Sequence, residues 1–257
     1  MIKNALSDTW FIVMRDLRAR RRMPIFVFMT LFQPILWLVL FTQIFKSLGN
    51  MPGLGSSSYL QFFAPGVVVM TVLFGSAFAG FGMIMDMDMG ILSKMLATPV
   101  TRVSIIMGRV GASTFVVVLQ GLVIFILALI MGVHIETGVP GLLFALFLVA
   151  LLGLGVAAFS NGLALLFKRQ EIVMAVTNFL TMPLMFLSTM MMPSGVLPGW
   201  LNTARRFNPV DYTIVAVRDL VLHGYIWSDL WRSLVVLLVV AIVGVTFGTL
   251  MFRAKAE

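Results

Sequence analysis

The sequence predicts an all-α polytopic membrane protein with six transmembrane helices, and three observations predict it. Six apolar stretches, over 24–45, 62–85, 110–133, 139–167, 172–192 and 230–252, each reach the roughly 20 residues needed to cross a hydrocarbon core. They are almost uniformly apolar, as in Val116–Ile130 and Leu234–Val243, without the alternation of barrel strands, so helices must satisfy their backbone groups in lipid. Finally, 60% of residues are hydrophobic and only 11% charged, with a mean hydropathy of +1.06. That leaves too few charges for a soluble shell. The whole of 1–257 reads as a single transmembrane domain.

Charge sets the expected orientation. The net charge is +8 and most of the 18 basic residues fall in segments that share one side, among them Arg15, Arg18, Arg20, Arg21, Arg22, Lys94, Arg102, Arg109, Lys168, Arg169 and Arg253. Lys46, Arg205, Arg206, Arg218 and Arg232 fall on the other. Short-loop lysine and arginine mark the cytoplasmic side, which predicts both termini inside and an even number of spans. The excess follows the membrane and is no nucleic-acid signature; Arg20-Arg21-Arg22 also suits an anionic lipid surface. No cleavable leader is expected, because the first apolar run begins only after Arg22, is span-length and lacks a small-residue cleavage pattern.

Over 3–22, Leu6, Trp10, Val13, Met14 and Leu17 recur at helical spacing, with Phe11 and Ile12 off the stripe. A basic helix with this face is expected to lie in the membrane interface; a soluble helix packed on a partner is the alternative. Gly49–Ser58 reads as a flexible outer loop. The inner segment 86–109 contains a short amphipathic helix carrying Ile91, Leu92, Met95 and Leu96, ended by Pro99, with Thr101 capping the next helical segment. It reads equally as docking hardware or as an ordinary interfacial loop. His134 and Glu136 sit in a tight outer turn and are expected to be solvated. Lys168–Glu171 is a short inner break.

The outer segment 193–229 predicts two amphipathic helices forming a re-entrant pair. Pro198 opens the first, with Trp200, Leu201, Ala204 and Phe207 on one side. Asn208-Pro209 supplies an N-cap and an N1 proline for the second, whose apolar side is Val210, Ile214, Val217, Leu220 and Val221, with Gly224 as its stop. Arg218 and Asp219 at partial depth are costly without pairing or water and suggest a hydrated outer vestibule. Pro34 and Pro183 lie inside the first and fifth spans, where they are expected to bend them. Small-residue spacings, Gly153 with Ala157 and Gly244 with Gly248, allow close helix contacts, and the methionines are read chiefly as packing.

Several chemistries find no signature. The chain has no cysteine, and its two histidines match no metal spacing. It has no G-x-x-x-x-G-K-[ST], no H-E-x-x-H and no G-x-S-x-G. The span interiors carry neutral groups such as Gln33, Gln120, Asn161 and Asn178 rather than the ionisable residues of an ion-coupled carrier, so the driving energy is expected to come from elsewhere.

The order of features resembles the membrane subunit of a type-2 ATP-binding-cassette exporter of the daunorubicin-resistance type, a family whose relatives export polysaccharides and nodulation factors. The resemblance covers nearly the whole chain. It is carried by Gly90-x4-Met95-Leu96-x2-Pro99-x2-Arg102-x5-Gly108-Arg109, similar to the family's coupling segment. It is also carried by Phe186-Leu187-Ser188 through Pro193, Pro198, Trp200, Asn208-Pro209 and Arg218-Asp219-Leu220, similar to its outer re-entrant region, and by Phe63-Ala64-Pro65-Gly66. Met87, Met89 and Ser93 depart from it, standing where more polar or acidic residues are usual.

The resemblance implies a non-enzymatic transport subunit of a bacterial inner membrane, paired with a second copy or a homologous permease. It implies separate ATP-binding-cassette ATPase subunits that hold the ATP and magnesium, with no cofactor bound by this chain. Gly90, Leu92, Lys94, Met95, Leu96, Pro99 and Arg102 would couple to the ATPase. Gln33, Trp37, Phe41, Asn178, Met182 and Met185 would line the route, and Trp200, Phe207, Tyr212 and Arg218 would form an outer gate. A drug-like or lipophilic cargo is the expectation; a lipid-linked glycan or polysaccharide is the alternative.

Overall fold

A computed structural model describes residues 2–21, 24–47, 58–98 and 100–254. It is built of helices: α1 (Ile2–Arg21), α2 (Pro24–Ile44), α3 (Tyr59–Ala77), α4 (Gly80–Asp88), α5 (Ile91–Leu96), α6 (Arg102–Ile130), α7 (Gly138–Phe167), α8 (Gln170–Phe186), α9 (Gly199–Ala204), α10 (Pro209–Leu222) and α11 (Trp227–Ala254). A 3-10 turn, Arg205–Phe207, joins α9 to α10. The predicted outer loop up to Ser57, and Pro99 as a helix stop, lie outside the described residues.

Four stretches are long and apolar enough to cross a bilayer: Tyr59–Asp88, Val103–Ile130, Gly138–Phe167 and Trp227–Ala254. Helix α2, 21 residues over Pro24–Ile44, follows the first predicted stretch closely. The fifth predicted span, 172–192, is only partly helical: α8 has 17 residues and stops at Phe186, about 25 Å against a core of about 30 Å. Just past its end the chain is held by α10, whose Asp211 accepts from the Thr189 backbone N–H at 2.7 Å.

The second predicted span, 62–85, is broken. Helices α3 and α4 meet at Phe78-Ala79, and Ser160 of α7 sits across the break, donating to the Ala77 carbonyl and accepting from the Gly80 N–H at 3.0 Å. A side chain buried between helices thus takes over backbone bonds that the break frees. Gly80 is required there, since a Cβ would stand 2.4 Å from the Ser160 carbonyl oxygen.

Other helices outrun their predicted spans. The third was placed at 110–133, yet α6 starts at Arg102 and runs 29 residues, about 43 Å, so its first turns project beyond a bilayer core. Its start is capped as expected, Thr101 Oγ1 accepting from the Ser104 N–H at 3.3 Å.

The helices α3, α6, α7 and α11 form the bundle. Its tightest seam joins α7 and α11: a Cβ on Gly244 would lie 2.1 Å from the Gly155 carbonyl oxygen, and one on Gly248 2.7 Å from that of Ala158. The Gly244–Gly248 spacing thus marks a close crossing. Gly153 serves a different contact, against Val72, Ser76 and Val117.

Two apolar cores divide the molecule by depth. One gathers Tyr59, Val133, Val210, Leu220 and Leu230 with the mid-bundle residues. The other gathers Ile12, Met83, Leu92, Ile105, Leu165, Val173 and Phe252. Because Ile12 and Phe252 belong to the second core, α1 and the last turns of α11 lie at the same end of the bundle.

Helix α1 corrects the predicted stripe. Ile12, which was off it, is the buried residue, seated on Gly108 of α6, where a Cβ would come within 2.6 Å of the Ile12 Cβ. Trp10 and Phe11 are both exposed. The helix is therefore clamped on its own chain along one side and presents aromatics on the other, an arrangement that a single-stripe reading could not produce.

Candidate functional site

At the end of the bundle shared by α1 and α11, the chain forms a knob. Gly90, with φ 67°, turns α4 into α5, a left-handed conformation that glycine adopts without steric cost. Leu92 inserts into the core while Ser93 and Lys94 stay exposed. Half-buried Met95 receives a contact from Arg15 Nη1 at 2.7 Å. Leu96 ends α5 and Arg102 begins α6.

Charges fix the knob from behind. Asp86 on α4 pairs with Arg109 on α6 and with Arg15 on α1, the latter at 3.1 Å. Arg109 is buried, so its charge needs that carboxylate. Three helices are thereby locked around one acid, and α5 is carried as a rigid extension. Sequence reading assigned Asp86, Arg109 and Arg15 no such role, since their partners lie 23 and 71 positions apart along the chain.

The opposite end holds the predicted re-entrant pair. Asn208 caps α10 by accepting from the Val210 N–H at 2.9 Å, and its amide donates to the Leu184 and Leu187 carbonyls, closing the orphaned end of α8. Asp211 accepts from Thr189 and from Arg205 Nη1 at 3.0 Å. Val210, Ile214, Val217, Leu220 and Val221 are all buried, as their pattern predicts. Gly224, at φ 97°, follows the end of α10.

Arg218 is buried in the wall of an open polar basin of about 750 Å³. It donates to the Phe62 carbonyl at 3.1 Å, the Thr189 carbonyl at 2.8 Å and the Thr189 hydroxyl at 3.3 Å. Its guanidinium carbon lies 3.7 Å from the centre of the Phe62 ring, a cation–π contact. Thus Arg218 is satisfied by carbonyls and a ring rather than by an ion pair with its neighbour Asp219.

Asp219 contacts His223 Nδ1 at 3.2 Å, and burial pushes its carboxyl above the ordinary range, opposed by His223. Tyr212 lines the same basin, while Trp200 and Phe207, 68% and 84% exposed, stand outside it. Phe62 and Thr189, which sequence reading left without a role, complete the Arg218 site.

The expected route residues do not form one cluster within the chain. Trp37 stacks on Phe41 at 4.7 Å, and Phe41 on Phe63 of α3 at 5.8 Å. Met185 is buried in the core. Gln33 and Met182 are exposed and Asn178 is half-buried. Large apolar side chains stay uncovered along α2 (Phe28, Met29, Phe32) and α8 (Met174, Phe179, Met182).

Comparison with known proteins places this architecture. Residues 7–222 match the family model described as "ABC-2 type transporter". The chain belongs to the ABC-2 type transporter family. This ABC-2 chain is similar to ycf38 of Cyanophora paradoxa, a protein named as a transport permease, with 31% identity over 93% of this chain and 87% of the relative. It is also similar to the daunorubicin resistance ABC transporter permease protein DrrB1 of Streptomyces coeruleorubidus, with 24% identity over 97% and 86%. Nodulation protein J of Rhizobium leguminosarum bv. trifolii is 26% identical over 81% and 79%. As an ABC-2 permease with long apolar helices, the chain is a multi-pass membrane transport subunit.

Proposed function

We propose that this ABC-2 permease is half of an ATP-driven exporter that moves a drug-like or lipophilic compound outward across a bacterial inner membrane. Separate ATPase subunits dock on the knob, with Gly90 setting its angle and Lys94 presented to the partner. The ATP and magnesium belong to that partner. The observation that carries the reading is the build of the knob: a short exposed helix, seated by Leu92 and pinned through Asp86 to two other helices. Such an element transmits a push to α6 and α1 instead of absorbing it.

A second copy, or a homologous permease, covers the exposed apolar faces of α2 and α8, with Gln33, Asn178 and Met182 facing the shared route. Uncovered phenylalanine and methionine on those faces favour a greasy cargo over a lipid-linked glycan. At the outer end, the basin around Arg218 and Tyr212 and the exposed Trp200 and Phe207 form the gate.

The test is reconstitution of the permease with its ATPase in lipid vesicles. Amphipathic aromatic compounds should stimulate ATP hydrolysis several-fold and accumulate inside inverted vesicles, while the permease alone hydrolyses nothing. Stimulation by lipid-linked oligosaccharide alone would move the assignment to a glycan cargo, and hydrolysis by the isolated chain would overturn it.

A further inference from the structure

A second cavity, of about 310 Å³, opens between α1, α2, α3 and α6, well away from the outer basin. Its walls are apolar along Met29, Pro34, Met70, Phe74, Phe78 and Val116. It runs along α3 from Met70 and on into the break at Phe78-Ala79. Arg20, in the last turn of α1, lines it and donates to Ser113 Oγ at 3.0 Å. Deeper, Gln33 lines the wall, and Gln120 donates to Thr30 Oγ1 at 2.8 Å.

The charges at the Arg20 end are lopsided. Arg18 and Arg21 occupy the same helix turn as Arg20. The nearest acid on that helix, Asp16, is bonded to Arg15. A narrow greasy slot with a cation at one end and amides further in matches a molecule with an anionic head, hydrogen-bonding groups below it, and a chain.

We propose that this slot binds an anionic glycerophospholipid from the membrane leaflet on the α1 side. Its phosphate is held by Arg20, its ester carbonyls reach the Gln33 amide, and one acyl chain lies along Met70, Phe74 and Val116. The site borders the proposed route at Gln33 but rests on no assumption about the cargo, and it stands whether or not that cargo is a drug. Its consequence is mechanical: the lipid occupies the space between α2 and α6 and ties the end of α1 to the bundle, so the position of α1 depends on the composition of the leaflet.

The experiment uses the intact permease in vesicles containing either phosphatidylglycerol or phosphatidylcholine, each carrying a photoreactive diazirine on one acyl chain. Cross-linked peptides are then mapped by mass spectrometry. Both lipids carry the phosphate, but only phosphatidylcholine brings a cation beside Arg18, Arg20 and Arg21, so phosphatidylglycerol should label Met29, Met70 or Val116 about tenfold more. Arg20→Gln should remove that preference, and Arg20→Lys should restore part of it. Val116→Phe, which fills the slot without touching charge, should abolish labelling at Met70 by either lipid. Equal labelling of the wild-type slot by the two lipids, or Arg20→Gln behaving as wild type, would overturn the proposal. So would labels confined to the outer faces of α2, and the wild-type comparison stands even if a variant fails to fold.

Discussion

Arg218 concentrates the physical chemistry of the end opposite the knob. A guanidinium removed from water is costly unless its donors are used, and here one planar fork bonds two carbonyls and a hydroxyl while resting on the Phe62 ring. Replacing it with alanine would strand both carbonyls and open a void. We expect Arg218→Ala to lower stability by about 3 kcal/mol, measured as a loss of thermal or denaturant resistance in detergent. Arg218→Lys should recover only a fraction, because an ammonium lacks the fixed fork and the stacking face. Asp219 behaves differently. Its carboxyl is raised by burial, so its charged form disfavours the fold at neutral pH, and this penalty fades as the pH falls through its raised value. Neither partner set could be read from Arg218-Asp219 as a dipeptide, which suggested only pairing or water: Arg218 bonds to Phe62 and Thr189, and Asp219 to His223.

Among the helices, what was legible in the sequence divides by range. Asn208-Pro209 declared the start of α10 because its cap reaches only to Val210, and Thr101 declared that of α6 because its cap reaches only to Ser104. The break between α3 and α4 was invisible, since its cause, Ser160, is supplied by a helix about 80 residues later. Likewise Ile12 fell outside the expected stripe of α1 because its burial depends on Gly108, which leaves room above α6 for one branched side chain. The Gly244–Gly248 spacing was visible, but only contact with Gly155 and Ala158 gives it meaning. That seam makes a clear prediction: Gly244→Ala should cost about 1–3 kcal/mol by overpacking, while the equivalent change at Gly195, where nothing crowds a Cβ, should cost little. Paired melting curves of the two variants would separate seam from background; equal curves would show that α7 and α11 do not need that approach.

Across the whole molecule, composition announced a membrane bundle, and the six apolar stretches located its helices; among the described residues, four stretches meet the length and apolarity of a span. The second core gathers Ile12, Leu92 and Phe252, so α1, the knob and the end of α11 lie at the same end of the molecule. The candidate site was legible in part: Gly90 through Met95 were read as a projecting element, whereas the Asp86 clamp that stiffens it was not, because ion pairs between distant helices leave no periodic trace. Everything then turns on what the knob meets. The chain has no cysteine, so Lys94→Cys offers a single reactive position on the exposed face of α5. Treated with a short bifunctional cross-linker, the purified exporter complex should join Lys94→Cys to the ATPase subunit in a nucleotide-dependent way, and membrane-impermeant thiol reagents should reach it only from the cytoplasmic side. Labelling from the external side, or no cross-link to the ATPase in any nucleotide state, would contradict the proposal that this permease takes its power through α5.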